Sequence, residues 1–323
     1  MKELVVLDAG TLRFPQEKWK PLGSLVDKMT LHENTARDPD AIVAAVGDAE
    51  VVLSNKVPMS RAVIDRLPKL KLISVLATGY NIFDLEGARE NGVTICNVPG
   101  YSSTSVAQHT LALMLGLANQ VGSHSASVQG GEWVRSPLFS YWLHEFPEFS
   151  GKTAGLIGWG DIGFQVGTVL NALGMKVQVH TRTERNAPDW DGFRFVDLDT
   201  LTQTSDVISL HCPLTEQTRN MFDEKRLRQM KPTAYLINTA RGGLIDESAL
   251  AKVLRAGHLG GAGLDVLEQE PMIQGHPLIG TPRLRITPHI AWATTESRQR
   301  LLDASVENVR RYLAGKPQHV VSG

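Results

Sequence analysis

The chain has 323 residues, of which 42% are hydrophobic, and its 33 basic and 34 acidic side chains leave a formal net charge of −1. This length favours two domains over a single core, and the even charge balance provides no basic footprint for nucleic acid. No uninterrupted apolar run approaches the ~18 residues of a membrane-spanning helix. We therefore expect a cytoplasmic protein without nucleic-acid or membrane partners.

The two cysteines, Cys96 and Cys212, are too few for a disulfide framework and lack the spacing of metal ligands. We expect reduced, mostly buried thiols and no bound metal. Residues 1–8 become acidic too early for a signal peptide and instead predict a first strand.

Short apolar runs alternate with helical patterns through residues 1–98. The predicted strands are residues 4–7, 51–54, 70–77 and 93–98, and the predicted helices are residues 40–46, 60–67 and 83–91. Such alternation is typical of a parallel sheet wrapped by helices. Residues 1–98 therefore predict a first α/β domain.

Pro99 and Gly100 interrupt this pattern, and residues 102–118 predict a long helix. Residues 119–150 match neither a strand nor a regular helix, although they are rich in aromatic side chains. These aromatic residues are Trp133, Phe139, Tyr141, Trp142, Phe146 and Phe149. Two interpretations stay open: the stretch packs on another domain or a second subunit, or it packs within its own domain.

A glycine-rich turn then follows an apolar run that ends at Ile157. It has the sequence Gly158-Trp159-Gly160-Asp161-Ile162-Gly163 and leads into a helical pattern ending near Leu173. A second strand is predicted at residues 175–180, which completes a βαβ unit. In this context the first glycine allows a tight turn, the second admits a pyrophosphate, and the third lets helix and strand pack closely. The pattern predicts a dinucleotide site.

The remainder of the chain repeats the alternation of strands and helices. Strands are predicted at residues 207–210, 235–238, 261–266 and 284–287, and helices at residues 224–230, 247–256 and 294–313. We predict a second doubly wound parallel sheet. The last helix follows the final strand of this sheet, and we expect it to return to the first domain.

Three polar residues follow predicted strands of the second sheet: Arg241, Glu270 and His289. In open α/β sheets, ligands bind outside the carboxyl ends of the strands. A histidine with a carboxylate partner suits proton transfer near neutral pH, and a guanidinium can hold a substrate carboxylate by two hydrogen bonds. Beside a nicotinamide, this set can interconvert a 2-keto acid and a 2-hydroxy acid.

At this point the chain resembles the D-isomer-specific 2-hydroxyacid dehydrogenases over nearly its full length. The motifs that carry the resemblance occur in the family's order. They are the glycine turn, His211-Cys212-Pro213-Leu214-Thr215, Asn238-Thr239-Ala240-Arg241-Gly242-Gly243, Gly263-Leu264-Asp265-Val266 with Glu270-Pro271, and Thr287-Pro288-His289-Ile290-Ala291. The resemblance implies a Rossmann cofactor domain (99–293) inserted into a flavodoxin-like substrate domain (1–98 and 294–323).

The resemblance also implies roles for the polar residues. Arg241 binds and polarises the substrate, His289 is the acid/base, and Glu270 pairs with His289. Backbone N–H groups of Leu76-Ala77-Thr78-Gly79 hold the substrate carboxylate. A homodimer is expected from the family likeness and the aromatic stretch.

Cofactor contacts are implied over the glycine turn and the loops after several strands, with Asp265 and the Thr239-Ala240 backbone facing the nicotinamide. The full set is Gly158, Gly160, Asp161, Ile162, Gly163, Thr181, Arg182, Thr183, Cys212, Pro213, Thr218, Thr239, Ala240, Asp265, His289 and Ala291.

The position where an NAD enzyme usually carries an acidic residue is Thr181 here, followed by Arg182 and Thr183. Arg182 with the two hydroxyls can hold a 2′-phosphate, which favours NADP over NAD. In the alternative, Arg182 stacks on adenine or points to solvent and either cofactor binds.

Two segments are most similar to glycerate dehydrogenases, also called hydroxypyruvate reductases: Ser54-Asn55-Lys56-Val57-Pro58 and residues 137–142. We therefore expect a reductase of hydroxypyruvate or glyoxylate. The alternatives are a nicotinamide-sensing regulatory protein on the same fold and a dehydrogenase for another small acid, formate and phosphite among them. A formate enzyme is expected to carry an amide where this chain has Glu270.

Overall fold

Buried apolar runs form the strands of two separate parallel sheets in the computed structural model, which describes residues 2–322. Each sheet forms the centre of one compact unit. The first unit contains the residues up to Ser102 and those from Ala293 onward, and the second unit is Ser103–Trp292. The predicted fold class of two doubly wound α/β domains is confirmed.

The described residues of the first unit form five strands, all parallel. They are β1 (Glu3–Val6), β2 (Lys28–Leu31), β3 (Val51–Ser54), β4 (Leu72–Val75) and β5 (Thr94–Cys96), in the order β2-β1-β3-β4-β5. The helices are α1 (Lys20–Gly23), α2 (Pro39–Val46), α3 (Arg61–Ile64), α4 (Leu85–Glu90) and, from the end of the chain, α12 (Thr295–Leu313). This strand order is the flavodoxin-like one.

Strands β3 and β4 are buried at every residue. Both faces of this part of the sheet are therefore covered, which explains why the sequence shows continuous apolar runs there rather than alternation. The last residues of the chain cover the edge at β5, where Val321 N–H donates to Ile95 O at 2.8 Å and Asn97 N–H donates to His319 O at 3.1 Å.

The second unit has seven parallel strands in the order β12-β11-β10-β9-β6-β7-β8. They are β6 (Thr153–Ile157), β7 (Lys176–His180), β8 (Arg194–Phe195), β9 (Val207–Leu210), β10 (Tyr235–Asn238), β11 (Gly261–Leu264) and β12 (Leu284–Ile286). The order reverses between β6 and β9, and the crevice at such a switch point is where open α/β sheets bind ligands.

Seven helices belong to the described residues of the second unit. They are α5 (Ser103–Asn119), α6 (Val121–Gln129), α7 (Glu132–Arg135), α8 (Asp161–Ala172), α9 (Leu198–Thr204), α10 (Glu224–Gln229) and α11 (Glu247–Arg255). Among residues 2–322, no helix is both long enough and apolar enough to cross a membrane.

Part of the irregular stretch 119–150 is helical, in α6 and α7. Neither helix has a buried residue, and without a buried face no apolar period marks them in the sequence. Phe149 is buried and packs edge-to-face on Tyr235 of the same unit. Most of the other aromatic side chains of this stretch are exposed, Phe139 by 93%.

Candidate active site

The glycine turn connects β6 to α8 at the switch point of the second sheet. Gly158 has φ +102°, and a Cβ there would lie 2.6 Å from the backbone carbonyl of His211. A Cβ on Gly163 would lie 2.3 Å from Gly158 O, whereas one on Gly160 would meet nothing within 4 Å. Gly158 and Gly163 therefore permit close packing, and Gly160 leaves room above the helix N-terminus. The turn fits the pyrophosphate of a dinucleotide.

A cavity of about 410 Å³ lies beside this turn. Its lining residues are Trp159, Gly160, Asp161, Phe164, Gln165, Arg185 and Asn186. The loop after β7 is held there because Trp159 Nε1 donates to Asn186 O at 3.3 Å and the Trp159 ring packs on Trp190 and Phe193. Arg185 therefore faces the glycine turn, which the sequence did not predict.

The residues directly after β7 include no carboxylate. Thr181 is half-buried, and Arg182 and Thr183 are exposed. The side chain of Ile162, at the start of α8, packs against the core between α5, α8 and the sheet.

His289 and Glu270 form a direct pair after β11 and β12. His289 Nδ1 lies 2.7 Å from Glu270 Oε2, and Glu270 Oε1 accepts a hydrogen bond from Leu267 N–H at 3.0 Å. The two side chains are 23% and 32% exposed, so a ligand can reach them. The carboxylate thereby fixes the orientation of the imidazole ring.

The backbone of His289 is in the left-handed region, with φ +56°. Its N–H donates to Thr287 O at 3.0 Å, and its carbonyl accepts from Trp292 Nε1 at 2.9 Å. A non-glycine residue in this conformation carries backbone strain, which is often found at functional positions.

Arg241 follows β10 in a turn shaped by the buried side chain of Asn238. Asn238 Nδ2 donates to Arg241 O at 2.8 Å, and Asn238 Oδ1 accepts from Ala240 N–H at 3.0 Å. The Arg241 guanidinium donates to Ala240 O at 2.7 Å. The turn therefore presents Arg241 at the same carboxyl edge of the sheet as the His289–Glu270 pair.

Asp265 is buried at the end of β11 and is surrounded by donors. Its oxygens accept from Thr287 Oγ1 at 2.6 Å, Ile290 N–H at 2.9 Å and Ala291 N–H at 2.7 Å. Burial raises the pKa of the Asp265 carboxyl, but the bonds from His109, Thr287 and the two backbone N–H groups outweigh burial, so its pKa lies below the ordinary value. Asp265 is ionised at neutral pH and anchors the segment that carries His289.

The loop after β9 is closed by its own side chains. Thr218 Oγ1 donates to Pro213 O at 2.8 Å and accepts from Thr215 N–H at 2.7 Å.

Burial lowers the pKa of His211 to about 3 and raises the pKa of the Cys212 thiol to about 11. Both groups are therefore neutral at physiological pH.

The predicted substrate loop, residues 76–79, lies in the first unit. It follows β4, and its shape is held by Thr78 Oγ1, which donates to Val98 O at 2.8 Å, and by Asn97 Nδ2, which donates to Thr78 O at 2.7 Å. Within residues 2–322, no group of three or more His, Cys, Asp or Glu side chains could hold a metal ion.

A family model for the NAD binding domain of D-isomer specific 2-hydroxyacid dehydrogenases matches residues 111–291, more than half of the chain. The chain belongs to this family. It is a D-2-hydroxyacid dehydrogenase, as its resemblance in sequence predicted.

Two relatives match most of this dehydrogenase. A protein named hydroxypyruvate reductase, from Blautia hydrogenotrophica, is 38% identical over 320 residues, which is 99% of each chain. A protein named glycerate dehydrogenase, from Methylorubrum extorquens, is 42% identical over 285 residues, which is 88% of each chain.

Two solved structures of similar proteins contain different cofactors. An acyclic imino acid reductase in complex with NADPH and D-Arg is 30% identical, with a TM-score of 0.85 over 99% of each chain. A D-lactate dehydrogenase from Aquifex aeolicus, in complex with NAD and lactic acid, is 28% identical, with a TM-score of 0.85 over 100% of this chain and 99% of that one. An NAD(P)-binding domain is therefore supported, and either cofactor occurs on this fold.

Several residues that shape the site of the dehydrogenase were missed in the sequence. His109 of α5 lies 2.8 Å from Thr287 Oγ1 and 3.5 Å from Asp265, and Thr110 of the same helix lies 3.0 Å from Thr239 Oγ1. These contacts join residues far apart in the chain. The local signal was the polar His109-Thr110 pair directly before the apolar run Leu111–Leu115 of the helix.

Proposed function

We propose that this dehydrogenase reduces hydroxypyruvate or glyoxylate to D-glycerate or glycolate. The observation that carries the proposal is the 2.7 Å pair of His289 and Glu270, which lies at the carboxyl edge of a sheet that also carries a dinucleotide turn. The names of the two relatives, hydroxypyruvate reductase and glycerate dehydrogenase, support this choice of substrate.

In the proposed reaction, the glycine turn of the second unit would hold a reduced nicotinamide cofactor, which would supply the hydride that C2 of the keto acid accepts. With Nδ1 of His289 engaged by Glu270, Nε2 is the ring nitrogen that gives a proton to the keto oxygen. Glu270 orients the ring for this transfer, because its carboxylate lies 2.7 Å from Nδ1 and directs Nε2 away from the pair. The hydride and the proton together convert the ketone to an alcohol, and His289 is left neutral.

Arg241 is proposed to bind the substrate and polarise its carbonyl group. Its guanidinium can hold a carboxylate through two hydrogen bonds. Backbone N–H groups of Ala77, Thr78 and Gly79 are proposed as further ligands of the substrate carboxylate.

A panel of 2-keto acids tests the reaction, with hydroxypyruvate, glyoxylate, pyruvate and longer homologues each assayed with NADPH and NADH. We expect the highest kcat/KM for hydroxypyruvate or glyoxylate. His289→Gln should lower kcat by at least ~100-fold, since general acid catalysis contributes that much, while NADPH binding measured by fluorescence is retained. Turnover of the variant at near the wild-type rate would contradict the role of His289.

We propose NADPH as the preferred cofactor because two basic side chains, Arg182 and Arg185, lie on either side of Glu184 in the loop after β7, near the proposed position of the ribose 2′-phosphate. Arg182→Ala and Arg185→Ala should each lower kcat/KM for NADPH by about 10- to 150-fold and leave that for NADH nearly unchanged, since a lost charged hydrogen bond costs ~1.5–3 kcal/mol. Arg194→Ala is the control, because its guanidinium bonds Gln178 Oε1 at 3.0 Å. A wild-type preference for NADH would overturn this part of the proposal.

A homodimer is proposed through the exposed aromatic stretch. Phe139, Trp142 and Phe146 are 93%, 59% and 56% exposed in the isolated chain, and apolar groups of this size in one segment mark protein interfaces. Sedimentation should give a dimer for the wild type and a monomer for Phe139→Ser combined with Phe146→Ser. A monomeric wild type would contradict the proposal.

The two free thiols, Cys96 and Cys212, fit a protein of the cytoplasm.

A further inference from the structure

The segment that carries Glu270 is held from behind by a buried carboxylate outside the proposed site. Glu268 N–H donates to Glu247 Oε1 at 2.8 Å, and the other oxygen of Glu247, Oε2, lies 3.0 Å from His276 Nε2. The Glu247 and His276 side chains are 10% and 4% exposed. Each oxygen of this acid therefore has one partner, as a buried carboxylate requires.

The hydrogen bonds define which ring nitrogen of His276 carries its proton. Leu278 N–H donates to His276 Nδ1 at 3.3 Å, so Nδ1 is the acceptor. Nε2 is then the donor to Glu247. His276 thus fixes the direction of the Glu247 carboxylate and leaves the opposite oxygen facing the backbone of the Glu270 segment.

Glu247 itself stands on a rigid support. It is the first residue of α11, and Asp246 caps this helix by accepting from Ala249 N–H at 2.9 Å. Leu250 and Leu254 of the same helix are fully buried in the core of the second unit. The backbone from which the Glu247 side chain extends is therefore fixed by a capped and packed helix.

The same residue, Glu268, also makes an exposed ion pair. Its side chain lies 2.6 Å from Arg219, and both side chains are about half exposed. Exposed pairs of this kind contribute ~0–1 kcal/mol to stability. Glu268 is therefore held by a buried contact with Glu247 and by an exposed contact with Arg219. Removal of the Arg219 contact is a matched control for removal of the Glu247 contact.

We propose that Glu247, oriented by His276, is a positioning residue for catalysis. It holds the Glu268 N–H so that Glu270, two residues later, keeps its 2.7 Å distance to His289. This inference rests on the proposed function of the His289–Glu270 pair. It adds a role for two residues that contact neither the proposed substrate site nor the cofactor turn.

A double-mutant cycle tests the inference in the full-length enzyme with hydroxypyruvate and NADPH. Glu247→Ala should lower kcat by about tenfold, less than the ~100-fold cost of a 1 Å misplacement, with KM for NADPH within about twofold of wild type. In a Glu270→Gln background, the same substitution should change kcat by less than about twofold. A residue that acts through Glu270 loses its effect once Glu270 is altered.

Three further variants complete the test. Arg219→Ala should leave kcat nearly unchanged. Glu247→Gln has one acceptor oxygen for the two donors Glu268 N–H and His276 Nε2, so it should lower kcat, but by less than Glu247→Ala does. Glu247→Asp shortens the reach by one methylene and replaces the alanine variant in the cycle if that variant does not fold. It should show a smaller loss of kcat, which again vanishes beside Glu270→Gln.

The inference would be overturned if Glu247→Ala lowered kcat by the same factor in the wild-type and Glu270→Gln backgrounds. It would also be overturned if Arg219→Ala lowered kcat as much as Glu247→Ala does. A wild-type enzyme without activity on any 2-keto acid would instead overturn the proposed function. The two failures are therefore distinguishable.

Discussion

Replacing Gly242 with alanine is expected to disable the enzyme without removing any functional group. A Cβ at this position would lie 1.9 Å from the carbonyl carbon of Leu267 and 2.1 Å from the nitrogen of Glu268. Both are backbone atoms, which cannot turn aside as the tip of a side chain can. Restoring a contact of 3.4 Å from 1.9 Å requires the two segments to separate by about 1.5 Å.

This separation would fall between the turn that carries Arg241 and the segment that carries Glu270. A misplacement of ~1 Å in a catalytic group costs ~100-fold in rate, so kcat should fall by at least about that factor. Overpacking a filled core costs ~1–3 kcal/mol of unfolding free energy, which most domains survive.

Gly243→Ala provides the matched control at the next residue. Its Cβ would meet Leu214 Cδ2 at 3.0 Å and an Arg219 nitrogen at 3.4 Å, and both are ends of flexible side chains. The assay is NADPH oxidation at saturating hydroxypyruvate, with Tm measured on the same samples. If Gly242→Ala keeps kcat within about threefold of Gly243→Ala, the close backbone approach does not control the site and the reasoning is refuted.

Three more predictions concern charge and buried polar groups. Burial lowers the pKa of His211 from 6.5 to about 3. Between these two pH values the unfolded chain binds a proton at this residue and the folded protein does not. The contribution of the neutral ring to the free energy of unfolding is therefore complete above pH ~6.5 and is lost as the pH falls toward 3. By linkage the unfolding free energy should fall by about 2 kcal/mol between pH 7 and pH 5, and denaturant unfolding of His211→Gln should show a correspondingly smaller fall. Asp8→Ala should cost about 2 kcal/mol in the same measurement, because the buried carboxylate accepts from Asn55 and Lys56 N–H groups that would lose their partner; a cost below about 0.5 kcal/mol would contradict this. Arg241→Lys should lower kcat/KM for hydroxypyruvate by about 100-fold, since an ammonium cannot make the two parallel hydrogen bonds, and a loss below about threefold would argue against a forked contact.

The parts of the site that were predicted from the sequence are those encoded at fixed local spacing. The three glycines of the turn occupy the positions that their spacing implies, and the close contact of Gly163 with Gly158 O lies within the six residues of the turn. Strands β3, β9 and β10 match their predicted ranges because their residues are buried throughout. The pairing of His289 with Glu270 followed from the family resemblance.

Other features leave no local signal. The loop that brings Arg185 to the glycine turn depends on the packing of Trp159 with Trp190 and Phe193, and no short motif records such a contact. Strands β2 and β8 were missed because neither has a fully buried residue. The bond between Glu247 and His276 likewise joins a helix start to a distant loop.

The first unit is formed by two segments that lie on either side of the second unit in the sequence, so its folding cannot be completed until the second unit has been synthesised. The second unit is one continuous segment, so all of its strands have been synthesised before Ala293 emerges. Helix α12, with Leu301, Leu302 and Val309 buried, and the residues that cover β5 are made after the second unit. Until they have been synthesised, the nascent chain carries an incomplete first sheet with an open edge, and such an edge is a site of aggregation that a chaperone can shield.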